Sequence, residues 1–196
     1  MRVLAAQRAR REVTPQNEGM TSHRDDGPLP GMGLDLEQQR AWLAYMRVNL
    51  QLTYEMNHQL LADSELSLAD YHVLSKLRQA PDRRLRISAL AQEIGWERSR
   101  ASHQVRRMRE RGLIAAKPAA DDKRATEITV TDRGNTAFRH AAPGHAALVR
   151  ELFFSGISKD LLGPLTEALE QIYSAIAQRG DLHRSVGRPP AARRSS

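Results

Sequence analysis

The chain has 196 residues, 40% hydrophobic and 27% charged, which suits a globular domain with a real core and room for tails. With 30 Lys and Arg against 23 Asp and Glu, the formal net charge is +7, so a polyanionic partner is favoured. Cysteine is absent, which excludes disulfides, thiolate metal sites and cysteine redox sensing and fits a reducing cytoplasm.

No apolar run approaches the roughly 20 residues of a membrane span, and the basic N-terminus lacks the apolar stretch of a signal peptide. The protein is expected in the cytoplasm with no membrane partner. Residues 1–33, rich in Arg, Gly, Pro and Asp without a sustained period, read as a disordered basic arm. The folded body is expected at 34–182. Its first segment, 34–62, spaces Leu36, Leu43, Met46, Leu50, Met56 and Leu60 as a long helix does. Ser67 is placed to cap a second helix, with Asp70 three residues on as a variant capping box. Tyr71, Leu74 and Leu77 form its apolar face, and Pro81 is expected to end it. Ile87, Leu90, Ala91 and Ile94 mark a third helix, closed by Gly95. After about two residues a fourth helix begins.

Next come "GLIAAKP" and "RATEITVT". Ile128 and Val130 alternate with Glu127 and Thr129 as in a half-buried strand. Paired with Leu113 to Ala116, this makes a hairpin whose tip carries Asp121, Asp122, Lys123 and Arg124. Thr131 can cap a helix from Asp132 to about Phe154, in which Pro143-Gly144 is a candidate break. A last helix from Ser158 to about 178 carries Leu161, Leu165, Leu169, Ile172 and Ile176. Residues 183–196 read as a second disordered basic tail.

The fourth helix packs six arginines and one glutamate between Arg98 and Arg111. A solvated helix normally mixes signs so that neighbours attract, so this excess points to negative charge on a partner. At about 3.6 residues per turn, Ala101, Val105 and Met108 fall on one side. Ser99, Arg100, His103, Arg106 and Arg107 gather opposite. A short helix, a tight turn, this second helix and a basic hairpin spell a winged helix-turn-helix, mainly α with a small β wing. The second helix would enter the major groove of double-stranded DNA. There Arg can read guanine, Ser or His can reach base edges or phosphates, and surplus arginines can bind phosphates. Ser99, Arg100, Ser102, His103 and Arg106 are the expected groove contacts, and Arg98, Arg107 and Lys123 belong to the same DNA-binding set. A merely solvated basic face is the bland alternative, and the neighbouring helix and hairpin weigh against it. A membrane-surface helix would need more than Ala, Val and Met on its apolar side. A non-specific architectural DNA-binding protein stands as the alternative function, with equal affinity for any duplex.

No nucleophile elbow, phosphate loop, dinucleotide fingerprint or paired-acid constellation is present in the sequence, so neither an enzyme nor a cofactor is expected. His140 and His145 are five apart, on different sides of a helix, so no metal site is expected.

The residues resemble those of the MarR-type regulators. "DDKRATEITVTDRG" is similar to that family's wing signature, with Asp122, Arg124, Thr131 and Gly134 at its marked positions and Val130 in place of the usual Leu. "LSLADYHVLSKL", "ISALAQEIG" and "RSRASHQVRRMRERGLI" resemble its second, third and recognition helices. The resemblance covers residues 34 to about 178, with 67–134 as the winged helix-turn-helix. It implies a homodimer joined through 34–62 and 158–178, acting as a repressor on a palindromic operator. It implies that Arg124 enters the minor groove and that Asp122 supports the wing by pairing with Arg100 or Arg106. It also implies a small-molecule effector, for which Trp42, Tyr45, Met46, Arg47 and His72 are the candidate ligands' neighbours.

Overall fold

The computed structural model describes residues 33–186. The expected basic arm, except for Gly33, and the tail from residue 187 onward lie outside the described residues. The chain divides into two units, Met1–Met46 and Arg47–Ser196, and the boundary falls inside helix α1 (Leu36–Ser64). In the first unit Asp35 opens α1 reciprocally. Gln38 N–H donates to its Oδ1 at 2.8 Å, and its own N–H donates to Gln38 Oε1 at 3.1 Å.

In the second unit the capping box at Ser67 forms as expected and starts α2 (Leu68–Gln79). The helix stops at Gln79, and Pro81 follows in a 3-10 turn, Pro81–Arg83. A three-residue strand, β1 (Arg84–Arg86), leads into α3 (Ile87–Ile94). Gly95 ends α3 in the left-handed region at φ 71°, donating to Gln92 O at 3.2 Å while Trp96 N–H donates to Ala91 O at 2.8 Å. Helix α4 (Arg98–Glu110) begins three residues after that glycine.

The wing is β2 (Ile114–Pro118) and β3 (Thr126–Val130). They pair antiparallel from Ile114↔Val130 to Pro118↔Thr126, so the first strand starts one residue later and ends two residues later than expected. β1 adds to the other edge of β3, with Arg84↔Thr129 and Arg86↔Glu127, giving the order β1-β3-β2. Pro118 is tolerated because β2 is an edge strand. The third strand was not foreseen, because Arg-Leu-Arg is too short to show a period and its charged ends read as loop. Glu127 fixes it from β3, pairing with Arg84 at 3.6 Å and with Lys117 of β2 at 3.5 Å.

Helix α5 (Asp132–Val149) runs unbroken through Pro143, so the candidate break there does not form. Packing on both sides of the proline holds it: Ala141 is buried, and the His145 ring lies 4.4 Å from that of Tyr71. The irregularity comes later, as a π-helical turn at Arg150–Phe154, before α6 (Lys159–Val186).

The core gathers Leu60 of α1, Leu66, Leu68, Val73, Leu74 and Leu77 of α2 and its lead-in, Leu90 of α3, Val105 and Met108 of α4, and Leu113, Ile114 and Ile128 of the wing. The architecture is mainly helical with a small antiparallel sheet, a winged helix-turn-helix. Among the described residues no helix is long and apolar enough to cross a membrane.

Candidate nucleic-acid interface

Helix α4 has two faces with separate duties. Ala101, Val105 and Met108 are buried as the spacing predicts, and Gln104 joins them at 9% exposure. Arg98, Ser99, Arg100, Ser102, His103, Arg106 and Arg107 are all exposed. Among the described residues no carboxylate pairs with Arg98, Arg100, Arg106 or Arg107. A cationic face left unneutralised is what binding to phosphates requires.

Two residues outside the predicted set organise this helix. The Arg100 guanidinium lies 4.6 Å from the centre of the Trp96 ring, a cation–π contact that restricts its rotamers. Trp96 precedes Arg100 by four residues, directly after the glycine that ends α3, and that spacing was the signal available for it. Arg111 turns inward. Its Nη1 donates to Asp70 Oδ2 and its Nη2 to Glu65 O, both at 2.7 Å. Gln104 Nε2 donates to Asp70 Oδ1 at 2.7 Å. So the aspartate that caps α2 also holds the end of α4, and one of the six arginines has its counter-charge inside the protein. Ser102 donates its hydroxyl to Arg98 O at 2.8 Å.

At the wing tip Asp121, Asp122, Lys123 and Arg124 are exposed. The Asp122 carboxylate accepts the Arg124 N–H at 2.9 Å, and its carbonyl accepts Ala125 N–H. It therefore shapes the turn, as Asp does in such loops, and makes no ion pair with Arg100 or Arg106. The acid that makes an ion pair is its neighbour: Asp121 pairs with Arg86 at the end of β1. That hydrogen bond, ahead of local backbone donors, holds the Asp121 carboxyl below the usual carboxylate range. Lys123 and Arg124 have no carboxylate partner among the described residues.

The base of the wing is built around Thr131 and Gly134. The Thr131 hydroxyl lies 2.7 Å from Gly112 O and 3.0 Å from Leu113 O, and it accepts Gly134 N–H at 3.0 Å. A Cβ on Gly134 would sit 2.0 Å from Leu113 O. The wing signature therefore demands glycine here for close backbone approach.

The residues expected near an effector are dispersed over the two units. In the first, the Trp42 and Tyr45 rings are 5.5 Å apart, and Met46 is half-buried. In the second, Arg47 is exposed on α1. His72 sits on α2, its pKa lowered by desolvation and then by the charges of His145 and Lys76.

Comparison with known proteins agrees with this geometry. The model of the MarR family matches residues 66–126, the stretch from the start of α2 to the wing. No curated protein matches the sequence. Among solved structures, a MarR family transcriptional regulator from Streptomyces coelicolor in complex with DNA is 30% identical, with a TM-score of 0.70, over 78% of this chain and 93% of that one. AbsC, a MarR family transcriptional regulator from Streptomyces coelicolor, is 30% identical with a TM-score of 0.68, over 74% and 97%. A MarR family transcriptional regulator from Silicibacter pomeroyi is 26% identical with a TM-score of 0.59, over 71% and 95%.

Proposed function

The chain belongs to the MarR family of DNA-binding transcriptional regulators, and from that premise we propose that it is a cytoplasmic homodimeric repressor of a palindromic operator, released by a small-molecule effector. It is a regulator and not an enzyme. The observation that carries the proposal is the exposed, unneutralised face of α4. Ser99, Arg100, Ser102, His103 and Arg106 contact base edges in the major groove, while Arg98, Arg107 and Lys123 hold phosphates. Arg124 enters the adjacent minor groove, where narrow A·T-rich segments attract arginine.

Dimerisation is supported by apolar surface that a lone chain leaves in water. On α6, Leu161, Leu169, Ile172, Tyr173 and Ile176 are exposed by 45–69%. On α1, Leu36, Trp42 and Leu43 of the first unit and Leu50 and Tyr54 of the second are exposed as well. Stripes of this kind mark protein interfaces. A two-fold pair presents its recognition helices to half-sites about one helical turn apart.

The test is fluorescence anisotropy of the full chain against the DNA upstream of its own gene and against a scrambled duplex, over a series of salt concentrations. Saturable binding to the upstream duplex, at least about a thousandfold tighter than to the scrambled one, is the expected result, and Arg124→Ala should weaken it about tenfold. Equal affinity for both duplexes with a steep salt dependence would replace the repressor reading with that of an architectural DNA-coating protein.

A further inference from the structure

Beside the exposed face of α4 lies a recess of about 80 Å³, lined by Arg86, Ser88, Arg98, Ser102 and Thr126 among others. Its volume is that of one small oxyanion and falls short of an ordinary effector's pocket, which runs to roughly 300–1,000 Å³. Two arginines, two serines and a threonine are among its lining residues, and none of the lining residues is acidic. Arg86 is also the residue that precedes the first turn of α3, and no side chain caps that turn. The recess opens where the wing tip, the start of α3 and the start of α4 converge.

Of the acids nearby, Glu127, opposite Arg86 in the sheet, is taken up by Arg84 and Lys117, and the one that pairs with Arg86 comes from the wing. Asp121, exposed in the turn before β3, holds the Arg86 guanidinium. Both partners face solvent, with side-chain exposures of 44% for Arg86 and 71% for Asp121. A pair so open is weakly held and exchanges readily. A carboxylate on an arginine occupies the position that a phosphate oxygen would take, since guanidinium offers both the same planar fork of donors.

We propose that this recess seats a single phosphate of the DNA backbone, and that Asp121 holds the phosphate's place on Arg86 until DNA arrives. The inference rests on the DNA-binding reading of α4 and adds Arg86 and Ser88 to the contact set. Docking exchanges one anion for another on Arg86, so the wing tip is released as the duplex seats. The wing can then turn toward the minor groove when the rest of the interface is in register.

The exchange makes a signed prediction for two exposed residues. In the anisotropy assay with upstream and scrambled duplexes, Arg86→Gln should weaken both by the same factor. It should also flatten the dependence of log K on log salt by about 0.9 for each seat lost. Arg86→Lys should keep most of the slope. Asp121→Asn should tighten both duplexes, and that gain should vanish in the Arg86→Gln background. A gain that persists in the double variant would mean that Asp121 acts only through the general field, and it overturns the seat. So does an unchanged slope in Arg86→Gln, or weaker binding by Asp121→Asn, which would make the pair a brace for the wing. Millimolar inorganic phosphate at constant ionic strength should not compete. Competition lost in Arg86→Gln would assign the recess to a free anion instead of the backbone. Thermal melts of the variants check that each is folded. If the wild type binds neither duplex, the reading of α4 falls and takes this inference with it; a failed slope change in a chain that binds DNA removes the seat alone.

Discussion

Replacing Arg111 by Ala should cost stability without touching the DNA face. Asp70 is 2% exposed, and its carboxylate accepts four hydrogen bonds: from Ser67 N–H at 2.9 Å, the Ser67 hydroxyl at 2.8 Å, Gln104 at 2.7 Å and Arg111 at 2.7 Å. Arg111→Ala leaves that charge with three neutral donors and strips Glu65 O of its partner. Removing one member of a fully buried ion pair costs about 3–5 kcal/mol, and a hydrogen bond to a charged group contributes about 1.5–3 kcal/mol. The Arg111 side chain is 38% exposed, so solvent screening takes the effect to the lower range, and we expect about 2 kcal/mol. For a chain of this size that lowers the melting temperature by about 4–8 °C, read at fixed protomer concentration because dimerisation shifts it too. Asp70→Asn, made in the wild type and in the Arg111→Ala background, should show a coupling of at least about 1 kcal/mol. A loss below about 0.5 kcal/mol with additive effects would refute the reasoning. The salt slope of DNA binding should stay unchanged in Arg111→Ala. A slope flattened by about one phosphate's worth would put this arginine on the DNA.

Gly134→Ala forces a Cβ to within 2.0 Å of Leu113 O, and urea denaturation should show a loss on the order of 3 kcal/mol or more. Gly156→Ala, with nothing within 4 Å of the added atom, is the control and should change stability by less than about 0.5 kcal/mol. Trp96→Leu keeps an apolar side chain but removes the ring beneath Arg100. It should weaken binding to the preferred duplex about two- to fivefold with the same salt slope, whereas an altered slope would show that Trp96 orders more than Arg100. Burial holds His145 below the ordinary histidine value of about 6.5. The unfolded chain therefore takes up its proton first, and stability falls as the pH drops below about 6.5, until the lower folded value is passed. Melting temperatures between about pH 7.5 and 5.5 should decline less steeply in His145→Gln; an identical decline would place the acid sensitivity elsewhere.

Much of the fold can be read from local signals. Ser67 with Asp70, Gly95 after Ile94, and the Ala101, Val105 and Met108 seam each depend on neighbours within a turn or two, and each stands where the spacing puts it. What escapes such reading is non-local. Gln104 and Arg111 look like ordinary polar helix residues until folding brings them to an aspartate 34 and 41 residues away. Strand β1 exists because β3 offers it an edge, and a tripeptide carries no period of its own. Asp121 and Asp122 are adjacent acids, and the resemblance marks only the second. Only the path of the turn decides that the first meets Arg86 while the second caps Arg124 N–H. Pro143 taken alone marks a candidate break, and the packing around it keeps the helix continuous.

The two-sidedness of α4 has an evolutionary corollary. The residues that anchor it, Ala101, Gln104, Val105 and Met108 with Arg111 at its end, share no position with Ser99, Arg100, Ser102, His103 and Arg106. Substitutions at those five positions can accumulate without disturbing the scaffold. On the base contacts proposed above, a duplicated copy of this gene could acquire a different operator by drift across a handful of codons, and the same five positions are the ones to randomise in selecting a variant for a chosen DNA sequence.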